Sequence, residues 1–360
     1  MKSLARNGHA VAVAAPGALE PMVTALGADF WPLDNPAEDV IGPAFAAMRE
    51  MSHEEATQWM AGEIFGRIRT EAAIPGLLHA ADQWHPDVVV RETAEFAGGV
   101  VAELLSIPHC RIGIGIGRTE ELFVRAAAAA VSDIRHAHGM PADPQGLQLR
   151  EAPYLTFFPD GLEDQQSPAP PHALRFRDPS WRTPSIESGQ QTPPFVYVTF
   201  GSVAAQLDGP SQVFTEALRA VAQLDIDVLV TIGHGMDPDR LGLLPPRIRV
   251  ERWVDQASVL RTASAVLCHG GGGTVIGALA AGVPIVAVPL FAEDQHINAR
   301  QIEAAGAGLR ADPQHDELRE ALAAVLGHRH FQAAAGELAR QIQTHTPTDD
   351  LDLPSALSPA

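Results

Sequence analysis

Short apolar runs alternate along the chain with longer stretches whose apolar positions recur at helical spacing. The apolar runs predict strands over 10–15, 29–33, 88–91 and 108–112, and again over 195–200, 228–232, 248–252, 265–267 and 285–288. Helical spacing predicts helices over 21–27, 97–105, 119–138, 210–224, 257–261, 274–281, 316–326 and 330–344. Residues 1–6 read as the last turns of a helix, stopped by Asn7 and Gly8. From 43 to 84 the pattern is helical with long polar faces, and Met48, Met51, Trp59, Met60, Ile64, Phe65 and Ile68 fall near one stripe. That stripe is either a packed amphipathic face or part of an apolar cleft that adaptable side chains would line. Strands alternating with helices predict βαβ units with right-handed connections, hence an α/β fold with parallel sheets.

The pattern breaks over 160–194, which is rich in Pro, Ser, Gln and charge and reads as a linker. It separates an N-terminal domain, 1–159, from a second domain, 195–345, with an acidic, Pro-bearing tail over 346–360. The chain has 360 residues, enough for two cores. The formal net charge of −19 argues against nucleic acid or an anionic membrane surface as partner. No apolar run is long enough to span a bilayer, and the first ten residues lack the apolar core of a signal peptide, so a cytoplasmic location is expected. Cys110 and Cys268 each end an apolar run and read as buried free thiols.

The densest chemistry lies between Cys268 and Ala299. An apolar run ends in Cys268 and His269, and Gly270, Gly271, Gly272 and Gly273 lead to Thr274, which opens a helix stopped by Gly282 and Pro284. The next apolar run leads to Glu293, Asp294 and Gln295. A Gly-rich turn feeding a helix offers backbone N–H groups at the positive end of the helix dipole, with no Cβ to hold an anion away. Thr274 can cap that helix and bond a phosphate oxygen, and the His269 ring can donate to the same anion. Asp294 and Gln295 leave the neighbouring strand at the same edge, and a carboxylate beside an amide suits sugar hydroxyls. This half therefore reads as a phosphate site with a polyol beside it.

These residues resemble the nucleotide-sugar signature of the inverting GT-B glycosyltransferases, in the bacterial branch that glycosylates macrolides, enediynes and aromatic polyketides. The matching pieces are His269 to Thr274, Gly282 to Pro284, and Asp294, Gln295, Asn298 and Ala299. The resemblance implies two Rossmann-like domains facing across a cleft, and transfer of a sugar from a TDP- or UDP-sugar to a hydroxyl of a hydrophobic acceptor, without metal or cofactor. It places Ser202 in the first crevice loop. It makes Trp253 the ring that stacks on the nucleobase, with backbone near Val254 reading the base edge and Gln256 completing the motif, although Asp255 stands where the family has proline. In the alternative, Trp253 is ordinary core.

Glu92 matches a carboxylate that orients the family's catalytic histidine, or else it only caps a strand end. His9 is not that histidine and reads as structural. By the resemblance, the first strand, the histidine loop and most of the first helix would precede Met1. The strands over 10–15 and 88–91, which flank that first strand in a doubly wound sheet, would then close on each other or leave the domain loosened. Three rival readings follow: a non-catalytic nucleotide-sugar-binding protein, a start placed downstream on an active enzyme, and a GT-B sugar-nucleotide epimerase. Oligomeric state is not legible.

Overall fold

The computed structural model describes residues 2–181, 193–201 and 210–351. They form two compact units, one of residues 2–156, 165–176 and 346–351, the other of residues 157–164, 177–181, 193–201 and 210–345.

In the first unit the strands are β1 (Ala12–Pro16), β2 (Asp29–Leu33), β3 (Val89–Glu92), β4 (His109–Ile112), β5 (Tyr154–Thr156) and β6 (Leu174–Arg177). Its helices are α1 (Lys2–Arg6), α2 (Glu20–Ala25), α3 (Glu38–Ala47), α4 (His53–Trp59), α5 (Thr70–Trp84), α6 (Ala97–Leu104), α7 (Gly117–Ala137) and α8 (Leu147–Glu151). β1 pairs with β2 in a sheet of two, while β3, β4, β5 and β6 form a second parallel ladder. Among the described residues no ladder joins β1 to β3, so these two strands do not close on each other. Glycines let the helices approach the strands. A Cβ on Gly76 of α5 would stand 2.9 Å from Leu33 Cδ2, and one on Gly99 of α6 would stand 3.0 Å from Arg91 Nε.

The stripe over 48–68 packs inward. Ile64 and Ile68 are buried with Ile41 and Ala44, and Met48, Trp59, Met60 and Phe65 rest against them. Met60–Arg69 is a wide helical stretch with i→i+5 bonding, and it lies along α7. A Cβ on Gly62 would stand 2.7 Å from the Ala126 carbonyl oxygen, so only glycine allows that approach.

One charged row crosses this core. Arg91, Arg111 and Tyr154 stand in register on β3, β4 and β5, and the Arg111 guanidinium lies 4.7 Å from the Tyr154 ring centre. Glu120, 2% exposed, accepts the Thr93 hydroxyl and the N–H groups of Ile114 (3.0 Å) and Gly115 (3.1 Å), and stands 3.7 Å from Arg111 Nη1. It thereby fixes the loop between β4 and α7.

The second unit holds β7 (Phe195–Thr199), β8 (Asp227–Thr231), β9 (Ile248–Glu251), β10 (Ala265–Cys268), β11 (Ile285–Ala287) and β12 (Gly308–Arg310). Its helices are α9 (Pro210–Ala222), α10 (Gln256–Leu260), α11 (Gly272–Ala280), α12 (Glu293–Ala304), α13 (His315–Gly327) and α14 (Arg329–Thr344). The strand order is β12-β11-β10-β7-β8-β9, parallel throughout. β10 and β11 are buried at every position, as strands covered on both faces must be. Phe200 meets Phe214 edge-on at 4.9 Å within this core.

The stretch read as a linker is partly built into the units. Leu174–Arg177 pairs with β5, and Gly161 donates its N–H to Gln341 Oε1 at 3.0 Å. A four-residue strand between prolines has no period of its own, and its pairing creates it. The tail also returns to structure. Thr346–Pro347 joins the sheet of the first unit as β13, and the Asp349 carboxylate accepts from Ser3 (2.6 Å) and Arg6 (2.5 Å).

Burial pushes Glu120 from 4.5 up to about 7, against the pull of Thr93 and Arg111. The folded chain holds this proton more tightly than the unfolded chain. The stability it contributes is full below pH 4.5 and is lost as pH rises toward 7. Glu120→Gln cannot titrate, so its thermal midpoint should vary less than the wild type's across that window. Equal pH slopes for the two proteins would refute this.

Candidate active site

Strand order reverses between β7 and β10, and the crevice outside such a switch point is where ligands bind in open α/β sheets. β7 is followed by Phe200 and Gly201, and β10 by His269. The imidazole is slotted between two glycines. A Cβ on Gly201 (φ +79) would stand 2.9 Å from His269 Cε1, and one on Gly271 would stand 2.3 Å from Nε2. Gly270 (φ +85) lies against α12, where a Cβ would meet the Gln295 carbonyl oxygen at 2.9 Å. Asn298, fully buried on α12, donates Nδ2–H to the Gly270 carbonyl at 2.9 Å and pins the loop.

The helix opens at Gly272, one half-turn before the expected Thr274. Gly271 is its N-cap and has no side chain to bond the first-turn N–H groups. Thr274 is therefore not the cap. Its own N–H bonds back to the Gly271 carbonyl at 3.1 Å, and its hydroxyl accepts from Gln256 Nε2 at 3.2 Å. Gly272 and Gly273 are left to present their N–H groups at the positive end of α11.

Burial holds the His269 pKa down at about 4, so the ring is neutral near pH 7. Its Nδ1 is buried with no hydrogen-bond partner among the described residues. Neighbouring Cys268 is fully buried and pushed up to about 12, and Cys110 to about 11, so both are inert thiols.

Asp294 and Gln295 lie in the first turn of α12 rather than in a loop. Burial raises the Asp294 carboxyl, and the backbone N–H groups of Gln295 and Asp294 oppose that rise. Gln295 is 3% exposed, and its Oε1 accepts from the N–H groups of Leu290 (2.8 Å) and Phe291 (3.3 Å). Only its amide N–H₂ is left to offer outward.

Trp253 is 70% exposed, so it is not core. It follows β9, three strands from β10, roughly 14 Å across the sheet. Val254 beside it is half-buried. Asp255, in place of proline, accepts the Ser258 hydroxyl at the start of α10. Ser202 lies outside the described residues. Glu92 ends β3 in the first unit, and its carboxylate accepts the Ala94 N–H at 2.7 Å.

A cavity of about 200 Å³ opens between α10 and α11, lined by Gln256, Leu260, Gly273, Gly277 and Trp181 among others. It is smaller than the roughly 300–1,000 Å³ that encloses a drug-sized molecule, so it suits one ring system. Asn298, Gly201 and Trp181 are the contributors to which sequence reasoning gave no role. Asn298 belongs to the matching pieces of the signature, one turn after Gln295 on α12, although no role was read for it.

The N-terminal and C-terminal domain patterns described as "Erythromycin biosynthesis protein CIII-like" match residues 2–148 and 215–350. The elloramycin glycosyltransferase of Streptomyces olivaceus is 31% identical over 74% of this chain and 66% of its own length. The aclacinomycin-T 2-deoxy-L-fucose transferase of Streptomyces galilaeus is 30% identical over 79% of this chain and 68% of its own. The chain belongs to the erythromycin CIII-like family of natural-product glycosyltransferases. Its fold is GT-B. The spinosyn rhamnosyltransferase SpnG superposes with a TM-score of 0.78 at 23% identity, covering 96% of this chain and 92% of that one. SnogD from Streptomyces nogalater gives 0.76 at 24% identity, covering 99% and 92%.

The Asn298 bond holds the glycine loop of this CIII-like chain in place. Asn298→Ala leaves the Gly270 carbonyl buried and unpaired, and should destabilise the chain by about 1–3 kcal/mol. Denaturant titration checks this, and a change under about 0.5 kcal/mol, ordinary for a surface site, would rule it out.

Proposed function

We propose that the chain transfers a sugar from a thymidine or uridine diphosphate donor to a hydroxyl of a hydrophobic natural-product acceptor, with inversion. The observation that carries this is the uncapped start of α11 at the strand switch point, with the neutral His269 ring beside it. The relatives' names support it, as does the spinosyn rhamnosyltransferase, solved complexed with thymidine diphosphate and with spinosyn aglycone.

In this reading the acceptor hydroxyl oxygen bonds to the anomeric carbon as the bond from that carbon to the diphosphate breaks, and the hydroxyl proton passes to solvent. The electron pair leaves with the diphosphate. Charge growing on the leaving oxygens is met by the N–H groups of Gly272 and Gly273, the helix dipole and one His269 N–H. Attack opposite the leaving group inverts the centre. Asp294 accepts from a sugar hydroxyl, Gln295 donates its amide N–H, and the cavity beside Gly273 takes the nucleoside. No metal enters these contacts.

Calorimetry with TDP and UDP, each with and without EDTA, tests the donor site. Binding of at least one, unchanged by EDTA, is expected, and a folded protein that binds neither overturns the reading. His269→Ala should weaken diphosphate binding by about 1.5–3 kcal/mol, the scale of a hydrogen bond to a charged group. Asp294→Asn should spare the free diphosphate and weaken only the sugar-bearing form, and equal losses on both ligands would sink that division of roles. Release of sugar isomers without any acceptor would identify an epimerase instead.

A further inference from the structure

We infer that Glu120 is a positioning residue for the acceptor, and that Ile114 is the apolar contact it sets. This rests on the transfer reading above and adds residues of the first unit that serve the acceptor. In open α/β sheets ligands bind outside the carboxyl ends of the strands, and in the first unit the loops after β3 and β4 leave that edge. The loop after β4 reads Gly113-Ile114-Gly115-Ile116-Gly117. Its two isoleucines differ: Ile116 is fully buried, and Ile114 is 40% exposed. Ile114 is therefore the side chain this loop presents, and an apolar one suits a hydrophobic acceptor.

A loop of alternating glycines does not hold its own shape. Its glycines instead allow close packing: a Cβ on Gly113 would stand 2.2 Å from the Tyr154 hydroxyl oxygen, and one on Gly115 would stand 2.7 Å from Thr119 Cβ. The tie comes from one carboxylate in the first turn of α7. Glu120 Oε1 accepts the N–H groups of Ile114 and Gly115, and Oε2 accepts the Thr93 hydroxyl from the loop after β3. Thr93 leads into Ala94, which is buried with Ala61 and Phe123, and Phe65 and Leu122 pack against them. One side chain thus fixes the Ile114 loop relative to an apolar wall at the same sheet edge. Glu120 is itself 2% exposed, so it acts through Ile114 rather than by touching the acceptor. A contact held in place before binding loses little freedom when the ligand arrives.

Amide exchange and ligand titration of the full chain separate placement from folding. The acceptor probe is alizarin, an apolar polycycle bearing hydroxyls, and TDP is the control ligand. Glu120→Ala should quicken exchange at Ile114 and Gly115 about tenfold or more. It should lower alizarin affinity about fivefold or more, with TDP affinity within about twofold of wild type. Glu120→Gln keeps an oxygen for the two N–H groups and should stay near wild type in all three measurements. Ile114→Ala should weaken alizarin binding with the loop's exchange unchanged. Should Glu120→Ala not fold, Thr93→Val, which removes only the hydroxyl, carries the loop test with the same directions. Unchanged exchange in the loop variant overturns the inference, as does unchanged alizarin affinity in Ile114→Ala. So does a loss shared equally by TDP, which would mean that Glu120 acts through the fold. Glu120→Gln as weak as Glu120→Ala overturns it too, by assigning the effect to charge. Wild-type protein that binds TDP but not alizarin overturns the acceptor contact alone. Wild-type protein that does not bind TDP overturns the donor reading, and the inference with it.

Discussion

The absence of a Cβ at three positions, two against the His269 ring and one against the backbone of α12, is the constraint on which the second unit's site depends. Gly201 and Gly271 flank the His269 ring, and Gly270 lets the loop pass against α12. A methyl group at any of them would fall within 3 Å of a ring atom or a backbone oxygen, a distance no packing adjustment of a rigid ring or a helix backbone absorbs cheaply. Two of the three also have positive φ, which other residues adopt only with strain. Gly271 is also the N-cap of α11 and leaves its start uncapped, so one residue both permits the close packing and leaves first-turn N–H groups unbonded by a side chain.

The two units handle buried polarity differently. In the second, His269 is neutral by burial and Gln295 is held by loop N–H groups, so the site holds few charges of its own. A neutral cradle of dipoles can attract an anion in a chain of net charge −19 without gathering cations. In the first, two buried arginines stand side by side with nitrogen atoms that have no hydrogen-bond partner among the described residues, and Glu120 faces one of them. Such a row is a weak source of stability and a strong source of geometric demand, since breaking one partner leaves the other charge buried. Its consequence is a fixed loop between β4 and α7.

Much of the second unit was legible because its strands are short and its central pair, β10 and β11, is fully buried and apolar, a pattern that survives without knowledge of neighbours. The glycine run, His269 and the pair Asp294 and Gln295 were legible for the same local reason. The helix start was misplaced by two residues because Thr274 has the chemistry of a cap, yet its hydroxyl is taken by Gln256 from another helix. Gln295 reads as a sugar ligand by type, but half of its amide turns inward to Leu290 and Phe291. The strand at Leu174–Arg177 and the return of the tail at Thr346–Pro347 were hidden, since such short strands exist only through their partners.

The sequence by itself determined the class of fold, the glycines where backbone can be approached closely, and the polar residue types that gather near them. These follow from local rules of periodicity, glycine conformation and functional-group type. Only the tertiary structure decided which aromatic ring faces a cavity, that Asn298 rather than a glycine neighbour pins the loop, and that Glu120 sits where burial outweighs its hydrogen bonds. Each of these is a contact between residues far apart in the chain, and its energy depends on what surrounds the group rather than on what the group is.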